Sequence, residues 1–181
     1  MLAAYGIGIR IINMVNVILW GGVTAVSTMV GQNLGADQTR RAGKIVKRLL
    51  LTFFSIAAAA SIGIYFLRGP LYQVFINDPA VLQMGSTFIT FFIPSVPFFA
   101  VFRLSTSVFE GSGHTRPSMT VSLIRLWGLR ILLSYAFYFI LGAGAVGIWI
   151  GMAIGNFGAA ILSVAWLSKG GWKKKIIENE T

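Results

Sequence analysis

The side chains in this sequence with the most chemical potential sit inside long apolar runs. Arg10, Asn13, Asn16 and Trp20 fall in one run, Arg103 in a second, Arg125 and Arg130 in a third, and Asn156 in a fourth. Charged and amide groups in hydrocarbon are costly, and they generally face a protein interior or a water-filled cavity that handles polar cargo. At about 100° per residue, Gly6, Arg10, Asn13, Asn16, Trp20, Thr24, Ser27, Thr28 and Gly31 share an arc of roughly 120° on one helix. Two uses are open for that stripe: a helix–helix interface joined by amides and small residues, or one wall of an aqueous substrate cavity. Arg103 and Glu110 lie on nearly one face about 10.5 Å apart along the axis, too far to pair directly. Either Glu110 caps the following loop while Arg103 finds partners on a neighbouring helix, or both are buried charges that bind substrate or gate a proton path. Arg125 is near enough to a helix end to snorkel. Arg130 is deeper and faces about 140° away, so it needs an acceptor such as Asn156, Glu110 or a group outside this chain.

Catalysis finds no comparable set. The 181 residues contain no cysteine and one histidine, His114, which excludes thiol chemistry, disulfides and a thiolate or multi-histidine metal site. Of the five acids, Glu178 and Glu180 belong to the terminal tail. The glycines of Gly31 to Gly35 and Gly111 to Gly113 do not make a phosphate-binding loop beside a strand. An enzyme is not expected, nor a resident cofactor or metal. The chain is 56% hydrophobic and 11% charged with a mean hydropathy of +0.78, against about 25% charged residues in a soluble domain. Its net charge of +10 collects at the ends of apolar runs. It therefore reads as membrane topology and not as a nucleic-acid surface.

These residues must be positioned by membrane helices, each needing about 20 mostly apolar residues. Five segments qualify, at about 2–30, 49–67, 85–109, 119–141 and 148–167, giving an all-α integral membrane unit over 1–168 and a basic tail over 169–181. The start lacks the basic region of a cleavable signal, so the first run reads as a retained span. Pro94 and Pro97 should kink the third helix. Asn77-Asp78-Pro79 signals a helix start with Asp78 as cap. Gly147, Gly151 and Gly155 form a small-residue ridge suited to close helix packing, and Trp172 beside Lys173 reads as a headgroup-level anchor. The connection Gly31 to Arg48 carries Arg40, Arg41, Lys44, Lys47 and Arg48, and the positive-inside rule keeps it cytoplasmic. Arg116, Lys169, Lys173, Lys174 and Lys175 then fall on the same side and Arg68 alone on the other. The expected protein is multi-pass in the plasma (inner) membrane, with an outside N-terminus, a cytoplasmic C-terminus and a helix missing ahead of the first.

Three stretches carry a family resemblance. Ala3-Ala4-Tyr5-Gly6-Ile7-Gly8-Ile9-Arg10, leading to Val30-Gly31-Gln32-Asn33-Leu34-Gly35-Ala36 and Arg40, resembles the second helix of a lobe in the multidrug and toxic compound extrusion (MATE) family and its following loop. Phe109-Glu110-Gly111-Ser112-Gly113-His114-Thr115-Arg116-Pro117 resembles the loop after that lobe's fourth helix, and Gly144 to Trp149 the turn before its sixth. The resemblance implies two six-helix lobes around a central cavity, exchanging a cation (Na+ or H+) inward for organic, often cationic, drugs outward. This chain resembles most of the C-terminal lobe without its first helix. Its implied partners are the lipid bilayer, the N-terminal lobe and small organic substrates. Some branches hold the coupling cation with a carboxylate in the lobe's fourth helix. Here Pro97 to Ser107 offers Arg103 and no acid, which places the coupling site in the absent lobe. Two alternatives stand beside this expectation. One is a lipid-linked oligosaccharide flippase of the same superfamily, for which Arg10, Arg103 and Arg130 suit a pyrophosphate. The other is a non-transporting membrane subunit that packs on a partner through the Gly147, Gly151 and Gly155 ridge.

Overall fold

A computed structural model describes residues 2–174. Five helices, Leu2–Gly35, Thr39–Gln73, Pro79–Gly111, Thr115–Ile140 and Gly144–Ser168, are each long and apolar enough to cross a membrane. They pack as one all-α bundle, in which the third helix touches the first, second and fifth, the first also packs on the second, and the fourth is laid against the fifth. The end of the expected tail, with Lys175, Glu178 and Glu180, lies outside the described residues.

The helices run past their apolar stretches. The connection expected over Gly31 to Arg48 shrinks to Ala36-Asp37-Gln38, because the first helix continues to Gly35 and the second starts at Thr39. Hydropathy marks where hydrocarbon ends, whereas Gln, Arg and Lys are good helix formers that continue the backbone ladder into water. Asp37 takes the left-handed conformation at φ 59°, which Asp tolerates better than most non-glycine residues. At the next connection the sequence signal is realised: Asp78 accepts from the backbone nitrogens of Ala80 at 2.8 Å and Val81 at 3.4 Å, with Pro79 opening the helix.

Two helices depart from regular α geometry. In the third, Pro94 and Pro97 lack the N–H an α-ladder requires, and a 3-10 turn at Ile93–Ser95 interrupts it. In the fourth, Ile124–Ile131 and Ala136–Ile140 are π-helical. An i→i+5 ladder accommodates an extra residue per turn, so residues five apart come to lie close to one above the other. Arg125 and Arg130 are such a pair, and the wide separation expected of their faces does not hold.

Two further expectations are corrected by packing. A Cβ on Gly147 would lie 2.9 Å from backbone atoms of Phe137, one on Gly151 2.7 Å from Cα of Ser134, and one on Gly155 3.4 Å from Cα of Arg130. The glycine ridge is therefore buried against the fourth helix of its own chain, and the surface on which a partner subunit was expected to dock is already occupied. Trp172 is not a headgroup anchor. Gly170, at φ 73°, turns the chain back, and the indole is buried in a cluster with Leu34, Ala42 and Val46 while its Nε1 donates to the Leu167 carbonyl at 3.0 Å.

Candidate functional site

The 3-10 turn of the third helix and the π segment of the fourth meet beside the fifth helix and build one polar network. Arg125 Nη1 donates to Asn156 Oδ1 at 3.1 Å, Asn156 Nδ2 donates to Ser95 Oγ at 3.0 Å, and Ser95 Oγ donates to the Phe92 carbonyl at 2.7 Å. Every donor in this series has an acceptor, and a guanidinium has no acceptor of its own. The Asn156 amide is thereby fixed with its oxygen toward Arg125. The guanidinium carbon also sits 4.8 Å from the ring centre of Phe102 and 5.2 Å from that of Phe99, within reach of cation–π attraction. Arg125, expected to snorkel toward the cytoplasmic end, is instead drawn inward by an amide and two aromatic faces. Its Nε is buried and has no hydrogen-bond partner among the described residues.

A cavity of about 130 Å³ opens over this network. Asn13 and Asn16 from the first helix, Arg125 and Arg130 from the fourth, and Asn156 from the fifth supply its polar groups, and Ile9, Ile12, Phe92, Val96 and Phe99 the apolar remainder. Asn16 Nδ2 donates to Asn13 Oδ1 at 3.2 Å, while Asn16 Oδ1 is buried without a partner.

The structure thus brings together five residues singled out from sequence, Asn13, Asn16, Arg125, Arg130 and Asn156, and pairs Asn156 with Arg125 and not with Arg130. Arg10 and Trp20 stand on an exposed face of the first helix and do not line this cavity. Arg103 is half-buried outside the cavity wall. Glu110, a candidate buried charge, is exposed: it sits in the last turn of its helix, at loop level, and accepts from Ser118 Oγ at 3.0 Å. Sequence reasoning did not single out Ser95. Its position between Pro94 and Pro97, where the backbone ladder is broken, is the signal that could have found it.

The glycine-containing loops lie at one end of the bundle, away from the cavity residues in sequence. A Cβ on Gly31 would meet the Gly111 carbonyl at 3.1 Å, and one on Gly111 would strike the backbone of Ser27. Ser107 Oγ donates to the Val23 carbonyl just above that crossing. Gly113 takes φ 79° in the loop that follows, and Asn33 Nδ2 returns to the Met29 carbonyl at 2.7 Å. Gly35 has open space around it, Gln32 is exposed, and Pro117 lies in the first turn of the fourth helix. Gly31 and Gly111 set how closely the first and third helices cross, and none of these residues lines the cavity.

A family profile described as MatE matches residues 1–136. A relative in Thermotoga maritima, named as a probable multidrug resistance protein NorM, is 21% identical over 175 residues, covering 97% of this chain and 38% of its own length. Among solved structures, the MATE transporter ClbM in complex with Rb+ superposes with a TM-score of 0.88 at 23% identity, over 95% of this chain and 41% of that one. A MOP superfamily transporter from Pyrococcus furiosus superposes equally well, with a TM-score of 0.88 at 20% identity over 96% of this chain and 39% of that one. The chain spans about two-fifths of the proteins it matches, and its fold is that of one lobe.

Proposed function

The chain belongs to the MatE family, and from that premise we propose that it forms most of the C-terminal lobe of a cation-coupled exporter of small organic compounds. The observation that carries this reading is a cavity lined by two arginines, three asparagines and an apolar remainder, within a fold shared with one lobe of known transporters. Alternating access needs two lobes rocking about a site between them, so transport belongs to this lobe joined to an N-terminal partner lobe. The coupling ion, Na+ or H+, is assigned to that partner lobe, because the cavity wall here is lined by two arginines and no carboxylate. The basic turn at Arg40 and Arg41 faces the cytoplasm of a plasma-membrane protein, with the first helix starting outside.

The test is accumulation of ethidium in efflux-deficient cells that express the complete protein from the native gene, under imposed Na+ and H+ gradients. Lower accumulation that follows one of the gradients supports coupled export. Unchanged accumulation under both gradients, with movement of a fluorescent lipid-linked glycan across the membrane, would establish a flippase instead. Two observations keep that second reading in view: the paired arginines of the cavity, and the Pyrococcus furiosus neighbour, described as having a binding pocket of reverse polarity that suggests a different function.

A further inference from the structure

We infer that the cavity around Arg125 binds an anionic oxygen group, a carboxylate, sulfonate or phosphate, carried on a small apolar body. This rests on the transporter reading and narrows its substrate class.

Charge is the first reason. The cavity wall holds Arg125 and Arg130, of one sign, and no acid among its lining residues. Like charges gathered in a poorly solvated site are unfavourable unless an opposite charge or its hydrogen bonds offset them. Glu110, which could have been that charge, is exposed and held by Ser118. An anionic ligand would supply what the wall lacks.

Geometry is the second reason. Arg125 does not need to be ordered on binding, because Asn156 and the faces of Phe99 and Phe102 already hold its guanidinium. Nη1 is committed to Asn156, whereas the buried Nε has no partner. A planar fork fixed in this way matches two oxygens of a carboxylate or phosphate better than an ammonium would. Across the cavity Asn16 Oδ1 is also unpartnered, and would accept an O–H or N–H adjacent to the anionic group. The volume of about 130 Å³ is close to the roughly 150 Å³ that holds a benzene ring. Phe92, Val96 and Ile12 supply apolar walls for such a ring.

Benzoate, benzamide and benzylammonium share one ring and differ in charge, and saturation-transfer NMR can compare them on the complete transporter in detergent. Benzoate should bind, and Arg125→Gln should weaken it about tenfold. Asn156→Asp, nearly isosteric and with the arginine intact, should weaken it similarly by placing a competing carboxylate beside the guanidinium. Phenyl phosphate and short-chain phosphatidate separate a soluble organic anion from a lipid head group as the natural source. Absence of benzoate binding, benzylammonium bound as well as benzoate, or benzoate affinity unchanged in both variants would each overturn the assignment. Export in cells is a separate readout: ethidium export with no benzoate binding removes the anion site alone, whereas benzoate binding with neither ethidium nor benzoate exported removes the export reading.

Discussion

Gly151→Ala should be the most informative single methyl group in the bundle. Its Cβ would lie 2.5 Å from the Ser134 backbone nitrogen and 2.7 Å from its Cα. Ordinary contact begins near 3.4 Å, so the fourth helix must retreat by about 0.7 Å (3.4 minus 2.7) or the fifth must bend. These are backbone atoms, and no rotamer change relieves them. Overpacking of this kind costs roughly 1–3 kcal/mol. Replacing a helical glycine by alanine returns about 0.5–1 kcal/mol, leaving a net loss of about 0–2.5 kcal/mol. Gly155→Ala is the control, since its Cβ meets Arg130 at 3.4 Å and needs no displacement. That variant should keep only the gain in helix propensity. Thermal unfolding of the protein in detergent, followed by tryptophan fluorescence, should rank Gly155→Ala at or above wild type and Gly151→Ala clearly below it. Equal stability of the two variants, or the reverse order, would refute the claim that the fourth and fifth helices touch at Gly151.

Three further outcomes are expected from the same unfolding assay. Tyr72→Phe removes a buried hydroxyl that donates to the Ala4 carbonyl at 2.8 Å, and should cost about 0.5–1.5 kcal/mol; no change would mean that this bond does not join the first and second helices. Gly111→Ala should destabilise, because its Cβ strikes the Ser27 backbone, whereas Gly35→Ala, with open space around it, should be neutral or mildly stabilising. Asp78→Ala removes the cap over Ala80 and Val81 and should cost about 1 kcal/mol, while Asp78→Asn should retain most of that stability.

Features that depend on local chemistry or on the solvent were legible in the sequence. Bilayer thickness dictates five apolar stretches, and a carboxylate before a proline dictates a capped start at Pro79. Helix ends were less legible, because apolarity marks the hydrocarbon boundary while the backbone ladder continues through Gln32 and Arg40. Trp172 was misplaced because an aromatic beside lysines suits either a headgroup layer or a core. The choice was made by the turn at Gly170, which brings the indole onto Val46.

The polar inventory of the site could be read from the chain, but its pairing could not. Asn156 was one of three acceptors open to Arg130, yet its oxygen accepts from Arg125. The difference is one of pitch: a regular α-helix turns about 100° per residue, whereas the π segment brings residues five apart toward the same side. Ser95 escaped notice for a related reason. A serine in a helix commonly bonds back to its own carbonyls, as Ser95 does to Phe92, and so looks self-sufficient. The two prolines around it open the ladder, and its oxygen then accepts the amide of Asn156 as well. Both misreadings arise where a helix departs from α geometry, and the two departures meet at Arg125, Asn156 and Ser95. Irregular backbone within a membrane needs protein or an aqueous cavity beside it, and here it has the network on one side and the cavity on the other.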